Sequence, residues 1–171
     1  IEDVQIPKGV TLRANPGVRI EGKGKKIKVE GGLDFAGSKD SKIIINNTQI
    51  LPAGDPDDPT YTMKLSHINM NRTSSTSSIT ISSRERALAQ DFNLTNSSLK
   101  NTTISSQNAQ GNITLDHNKF DINSRFQSRS DGLDPAAWNL PYEPSATLTI
   151  TNNTFENQSK VDVANHKFNT I

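Results

Sequence analysis

One short motif that keeps returning constrains this chain more than any other feature of its sequence. It reads apolar, any residue, apolar, then a polar turn, then apolar again five positions after the second apolar residue. It occurs as Ile43-Ile44-Ile45 with Ile50, Met63-Lys64-Leu65 with Met70, Phe92-Asn93-Leu94 with Leu99, Ile113-Thr114-Leu115 with Phe120, and Leu148-Thr149-Ile150 with Phe155. Alternation with period two is the mark of a strand that buries one face. The second apolar positions, Ile45, Leu65, Leu94, Leu115 and Ile150, are spaced by 20, 29, 21 and 35 residues. A unit of roughly 20 residues with insertions accounts for that series. An identical turn in every unit means one corner, stacked on itself. Antiparallel hairpins give no reason for such a recurrence, whereas parallel strands stacked once per turn do, at about 4.8 Å per step.

The N-terminal part alternates in the same way, with pairs at Val4/Ile6, Val10/Leu12, Val18/Ile20, Ile27/Val29, Leu33/Phe35 and Ile43/Ile45. Matching members lie 23 residues apart for Ile6 and Val29, 23 for Leu12 and Phe35, and 25 for Ile20 and Ile45. Between the pairs sit Pro7-Lys8-Gly9, Asn15-Pro16-Gly17, Gly22-Lys23-Gly24, Gly31-Gly32 and Gly37-Ser38, which supply positive or fixed φ. Residues 1–20 are expected to form the first rung or a partial cap.

The polar corner carries its own prediction. Two positions after each anchor stand Asn47, His67, Asn96, His117 and Asn152; three positions after stand Thr48, Ile68, Ser97, Asn118 and Asn153. Asn accepts the left-handed conformation a tight corner needs. Stacked Asn side chains there predict a partial Asn ladder along the axis, interrupted at Ile68. His67 and His117 then stand in for Asn about 10 Å apart, with Asn96 between them, too far apart to share a metal.

Hydrophobic residues make up only 32% of the 171, which is low for one wide core. The net charge is only +1 and the apolar residues come in β-branched bursts, so the chain does not read as disordered. A narrow core running lengthwise reconciles the two facts. The expected fold is therefore all-β: a right-handed, single-stranded parallel β-helix of six to seven rungs, each of about three short strands. It spans 1–171 as one domain, with insertions near 51–62, 72–90 and 127–145. There is no cysteine for disulfides or thiolate sites. No apolar run reaches the roughly 18 residues of a membrane span. The chain opens at Ile1 without a leader and ends at Ile171 without a cap, which reads as a mature chain or a piece of a longer one. N-x-S/T triplets at Asn71, Asn93, Asn96, Asn101, Asn112, Asn152 and Asn157 are read as turn chemistry beside strands rather than as glycan acceptors.

The stretch from Val4 to Ile45 resembles the opening rungs of right-handed β-helix surface and exported proteins. The units ITLDHNKF (113–120) and LTITNNTF (148–155) are similar to rungs of the pectate-lyase-like superfamily. That resemblance implies a secreted or cell-surface bacterial protein. The superfamily holds lyases, hydrolases, adhesins and tailspikes, so it does not choose among functions. The hydrolase pattern would need a Gly-His-Gly, which is absent, and the sole Asp pair, Asp57-Asp58, lies in a Pro-rich loop. The expectation is a non-catalytic adhesive module, with a polysaccharide lyase or hydrolase and a ligand-free spacer or fibre segment as alternatives. End-to-end self-association or further rungs in a parent chain would cover the open ends of the stack.

The insertions supply the candidate site. Trp138 and Tyr142, with Arg129 and Asp131, form the composition of a sugar site: aromatic plates for C–H faces, polar groups for hydroxyls. Arg84 and Arg86 are candidates to grip a carboxylate or sulfate. Asp55, Asp57 and Asp58 are weak candidates for Ca²⁺; no other cofactor is expected. The partner expected is a polysaccharide or a host or cell-surface glycan. Nucleic acid is not expected, given the charge and the lack of an aromatic-basic motif. Lys23, Lys25, Lys26 and Lys28, bracketed by Glu21 and Glu30, are read as protection against edge pairing rather than as an anion site. Asp116, Lys119 and Arg125 near His117 are considered as an acid–base group.

Overall fold

The computed structural model describes residues 2–53, 62–73, 77–82, 91–107, 111–129 and 147–164. Among these the chain forms strands and turns and no helix. The strands fall into three parallel sheets, visited in a fixed order. Sheet A holds β1 (Val4–Ile6), β4 (Lys26–Val29), β7 (Gln49–Pro52), β10 (Ser78–Ser82), β13 (Thr103–Gln107), β16 (Arg125–Arg129) and β19 (Lys160–Ala164). Sheet B holds β2 (Thr11–Ala14), β5 (Gly32–Ala36), β8 (Thr62–Ser66), β11 (Phe92–Thr95), β14 (Ile113–Asp116) and β17 (Leu148–Thr151). Sheet C holds β3 (Arg19–Glu21), β6 (Ile43–Asn46), β9 (Ile68–Asn71), β12 (Ser98–Lys100), β15 (Lys119–Asp121) and β18 (Thr154–Phe155). Each strand pairs with its counterparts one turn before and after, so the protein is a parallel β-solenoid, a β-helix.

The core consists of columns. On sheet B, Phe35, Leu65, Leu94, Leu115 and Ile150 stack in register. Sheet C contributes Ile20, Ile45, Met70, Leu99, Phe120 and Phe155, and the last two rings stack with centroids 4.7 Å apart. Sheet A contributes Ile27, Ile50, Ile79, Ile104 and Phe126. A fully buried side chain of this size contributes about 1.5–3 kcal/mol. In a solenoid that burial exists only through contact with the neighbouring turns. At the far end Val161 and Val163 remain 38% and 43% exposed.

Two register expectations need correction. Ile45 does not stack on Leu65; it lies beside Met70 on sheet C, and Phe35 occupies the Leu65 column. Leu12 pairs with Leu33, not Phe35, which lies beside Ala14. Both errors have one cause. The apolar-x-apolar strand recurs on all three faces, and two corners share the same turn chemistry, so spacing alone does not say which face a strand joins. Residues 37–42, between β5 and β6, add to the shift. Gly37 sits there because its backbone N–H donates to Ser66 O, and a Cβ would lie 2.4 Å from His67 O. The turn glycines Gly9, Gly17 and Gly24 take the expected positive φ, whereas Gly31, Gly32 and Gly37 do not: a Cβ at Gly31 would collide with Val10 O, so close approach rather than φ explains it. Ile79-Thr80-Ile81 lies on β10, as the alternation requires.

Candidate functional sites at the three corners

The corner between sheets B and C is built around left-handed residues. His67, Asn96, His117 and Asn152 have φ of 49–53°. The strand register places His67, Asn96 and His117 in successive turns, two steps of about 4.8 Å. The residue after each points inward and forms the predicted ladder. Asn118 N–H donates to Asn153 Oδ1 (2.9 Å), Ser97 N–H to Asn118 Oδ1 (3.0 Å), and Ile68 N–H to Ser97 Oγ (3.1 Å). Asn118 and Asn153 also donate to the carbonyls of Leu94 and Leu115. The ladder stops at Ile68, which has no polar side chain to pass the pattern on.

On the outside of this corner Asp116 accepts from Thr151 Oγ1 (2.6 Å) and Asn152 Nδ2 (3.0 Å) and lies 2.8 Å from His117 Nδ1. The Thr151 hydroxyl, then the His117 ring and Asn152 amide, lower the pKa of its carboxyl to about 2. Lys119 is engaged with Glu156 at 2.8 Å, and Arg125 starts a strand of sheet A. Of the three, only Asp116 lies against His117, so Asp116, Lys119 and Arg125 do not form one group. The bonds from Thr151 and Asn152 to Asp116 tie one turn to the next.

The corner between sheets C and A repeats the design with different residues. Asn47, belonging here rather than with His67, has φ of 50°, and Asn101 and Asn123 have 49° and 56°. Thr48, Thr102 and Ser124 follow them, each fully buried. Thr48 Oγ1 donates to Asn46 O, Thr102 Oγ1 to Lys100 O and Ser124 Oγ to Asp121 O, at 2.7–2.9 Å. Thr102 N–H donates to Ser124 Oγ at 3.2 Å. This hydroxyl ladder escaped the sequence reading, although a Ser or Thr directly precedes β7, β10, β13, β16 and β19.

Over this corner runs a groove of about 440 Å³. Arg72, Asn101, Asn123 and Gln158 form one wall, each held beside the next by backbone hydrogen bonds between turns. Thr103, Arg125 and Lys160 form the other, in register on β13, β16 and β19. Among the described residues its lining contains three cations and no carboxylate. Sequence reasoning named Arg125 but missed the groove, because Arg72, Arg125 and Lys160 are far apart in the chain.

The corner between sheets A and B carries the long connections. Strands β7, β10, β13 and β16 end beside one another on sheet A, and β8, β11, β14 and β17 resume beside one another on sheet B. Described bonds close this edge: Asn112 N–H donates to Asp91 Oδ1 and Thr147 N–H to Asn112 Oδ1, both at 3.0 Å. Asp55, Asp57, Asp58, Arg84, Arg86, Asp131, Trp138 and Tyr142 lie outside the described residues; Arg129 ends β16, and its side chain is likewise outside them. Among the described residues no three His, Asp or Glu side chains gather to hold a metal ion. In the basic run, Lys25 pairs with Glu2 at 3.1 Å, and Lys28 lies beside Gln5. The chain matches no family model, no curated protein and no solved structure.

Proposed function

We propose that this chain is a non-catalytic adhesive module: a β-helical rod of an exported or cell-surface bacterial protein, of the pectate-lyase-like kind, that presents loops to a glycan. The observation that carries the reading is the arrangement of the A–B edge. Connections 53–61, 83–91, 108–112 and 130–147 join the end of a sheet A strand to the start of a sheet B strand at the same corner in successive turns. Turns such as Asn96-Ser97, His117-Asn118 and Asn101-Thr102 at the other corners are short and laddered. Recognition residues tend to lie on loops held by a rigid scaffold. The last of these connections carries Asp131, Trp138 and Tyr142 directly after Arg129. In this reading the rings stack on the apolar faces of a sugar while Arg129 and Asp131 take its hydroxyls.

A glycan array probed with the purified chain and with Trp138→Ala tests the proposal. Selective binding by the parent chain, lost in the variant, is the expected result. Failure to bind any glycan would overturn it in favour of a ligand-free spacer. Cleavage of a bound glycan, read as new reducing ends, would overturn its non-catalytic part.

A further inference from the structure

We propose that the groove over the C–A corner binds an acidic polysaccharide laid along the rod axis. This rests on the reading of the chain as a glycan-binding rod, and adds to it a second place of contact and the charge of the ligand. Where neighbouring strands set two charged residues side by side, the signs are opposite at Arg13 and Asp34, at Asp34 and Lys64, and at Lys100 and Asp121. Arg125 and Lys160 are the exception among the described residues: two cations in direct register on β16 and β19. Like charges at that spacing repel.

Among the described residues no acid pairs with them, nor with Arg72. Asp121 is taken up by Asn157 Nδ2 at 2.6 Å and by the Ile122 N–H at 2.9 Å, and Glu156 by Lys119. Asp162 sits two positions beyond Lys160, beside Gln127. An anionic group between Arg125 and Lys160 would turn a repulsive pair into two charge-assisted contacts.

Shape and lining then narrow the ligand. The wall from Arg72 to Gln158 covers three steps of the solenoid, about 14 Å, which a single small anion does not fill. Asn101, Asn123 and Gln158 offer both donors and acceptors, and Thr103 a hydroxyl, matching the ring hydroxyls of a sugar chain. Among the described residues no aromatic ring lines the groove, so they offer no stacking platform of the kind single-stranded nucleic acid uses. The anionic group is a sulfate ester or a uronate carboxylate, which share this chemistry.

The test measures binding of dextran sulfate, alginate and unmodified dextran to the whole chain, to Arg125→Gln, to Lys160→Gln and to Lys25→Gln. Binding to dextran sulfate or alginate is expected, with dextran sulfate alone indicating a sulfate ester and alginate alone a uronate. It should weaken with salt and fall about tenfold with each groove substitution. Lys25→Gln, at a lysine already paired with Glu2, should leave it unchanged. Thermal melting of the free groove variants should be unchanged or raised, because a repulsion is removed. Equal binding by the parent and the groove variants, or equal loss in Lys25→Gln, would overturn the proposal. A neutral glycan bound equally by all variants, with no binding of the charged polymers, would overturn the groove while leaving the adhesive reading intact. No binding of any glycan would overturn both.

Discussion

At the B–C corner the chain turns through His67, Asn96, His117 and Asn152; at the C–A corner it turns through Asn47, Asn101 and Asn123. In both, a left-handed residue is followed by a buried one, and in both the buried polar side chains satisfy backbone groups that water cannot reach. The outer surfaces differ. At the B–C corner Asp116 is bound by three neighbours, and Lys119 faces Glu156. At the C–A corner Arg72, Arg125 and Lys160 line a groove to which no described carboxylate contributes. The backbone demand fixes the inner residue of a β-helix corner and leaves the outer residues free. A surface where charges close on one another is explained by stability alone; the cations of the C–A corner are the ones the proposed acidic ligand would engage.

The most damaging change to either corner would be loss of the core they both enclose. Leu115 is fully buried between Leu94 and Ile150. Leu115→Asp places an unpaired charge there and is expected to unfold the domain, a loss above about 4 kcal/mol. Circular dichroism melting checks this, and a soluble variant with an unchanged melt would refute the column assignment.

The ladders themselves separate the two corners. Asn118→Ala strips a partner from the Ser97 N–H and the Leu94 carbonyl together. Each orphaned group costs about 1–3 kcal/mol, so a loss of roughly 2–6 kcal/mol is expected in urea unfolding. Thr102→Val should cost less, about 1 kcal/mol, because the Lys100 carbonyl it leaves still accepts from the Arg72 N–H at 3.2 Å. Equal losses would mean that the two ladders are not different in kind.

Substitution at the left-handed positions probes the backbone term. Asn96→Val should lose about 1–2 kcal/mol, since a β-branched residue resists positive φ, whereas His117→Asn should keep the turn. Urea unfolding of the two variants side by side checks the difference.

The smallest effect is electrostatic. The Asp116 carboxyl has a pKa of about 2 in the folded chain against an ordinary 3.8, so its contribution is present above 3.8 and is lost as the pH falls through about 2. Melting temperature followed from pH 5 to pH 2 should drop less steeply in Asp116→Asn than in the parent chain.

Sequence alone determined the class of fold. The period-two alternation, its return at about 20 residues and the polar corner require parallel strands stacked around a narrow core, and a ladder of Asn such as Asn118 and Asn153 is legible from the corner alone, though its Ser97 member is not. These features are local: inward and outward faces follow from the pleat, and Asn or Gly at a turn follows from φ. What only the tertiary structure decided is the face to which each strand belongs and which distant residues share a corner. Ile45 joined Met70 rather than Leu65 because an apolar-x-apolar strand is the same on every face, and the length of the preceding turn selects among them. Arg72, Arg125 and Lys160 became one groove for the same reason. Neighbours across a solenoid are set by how many residues each turn consumes, and that sum is known only when every turn has closed.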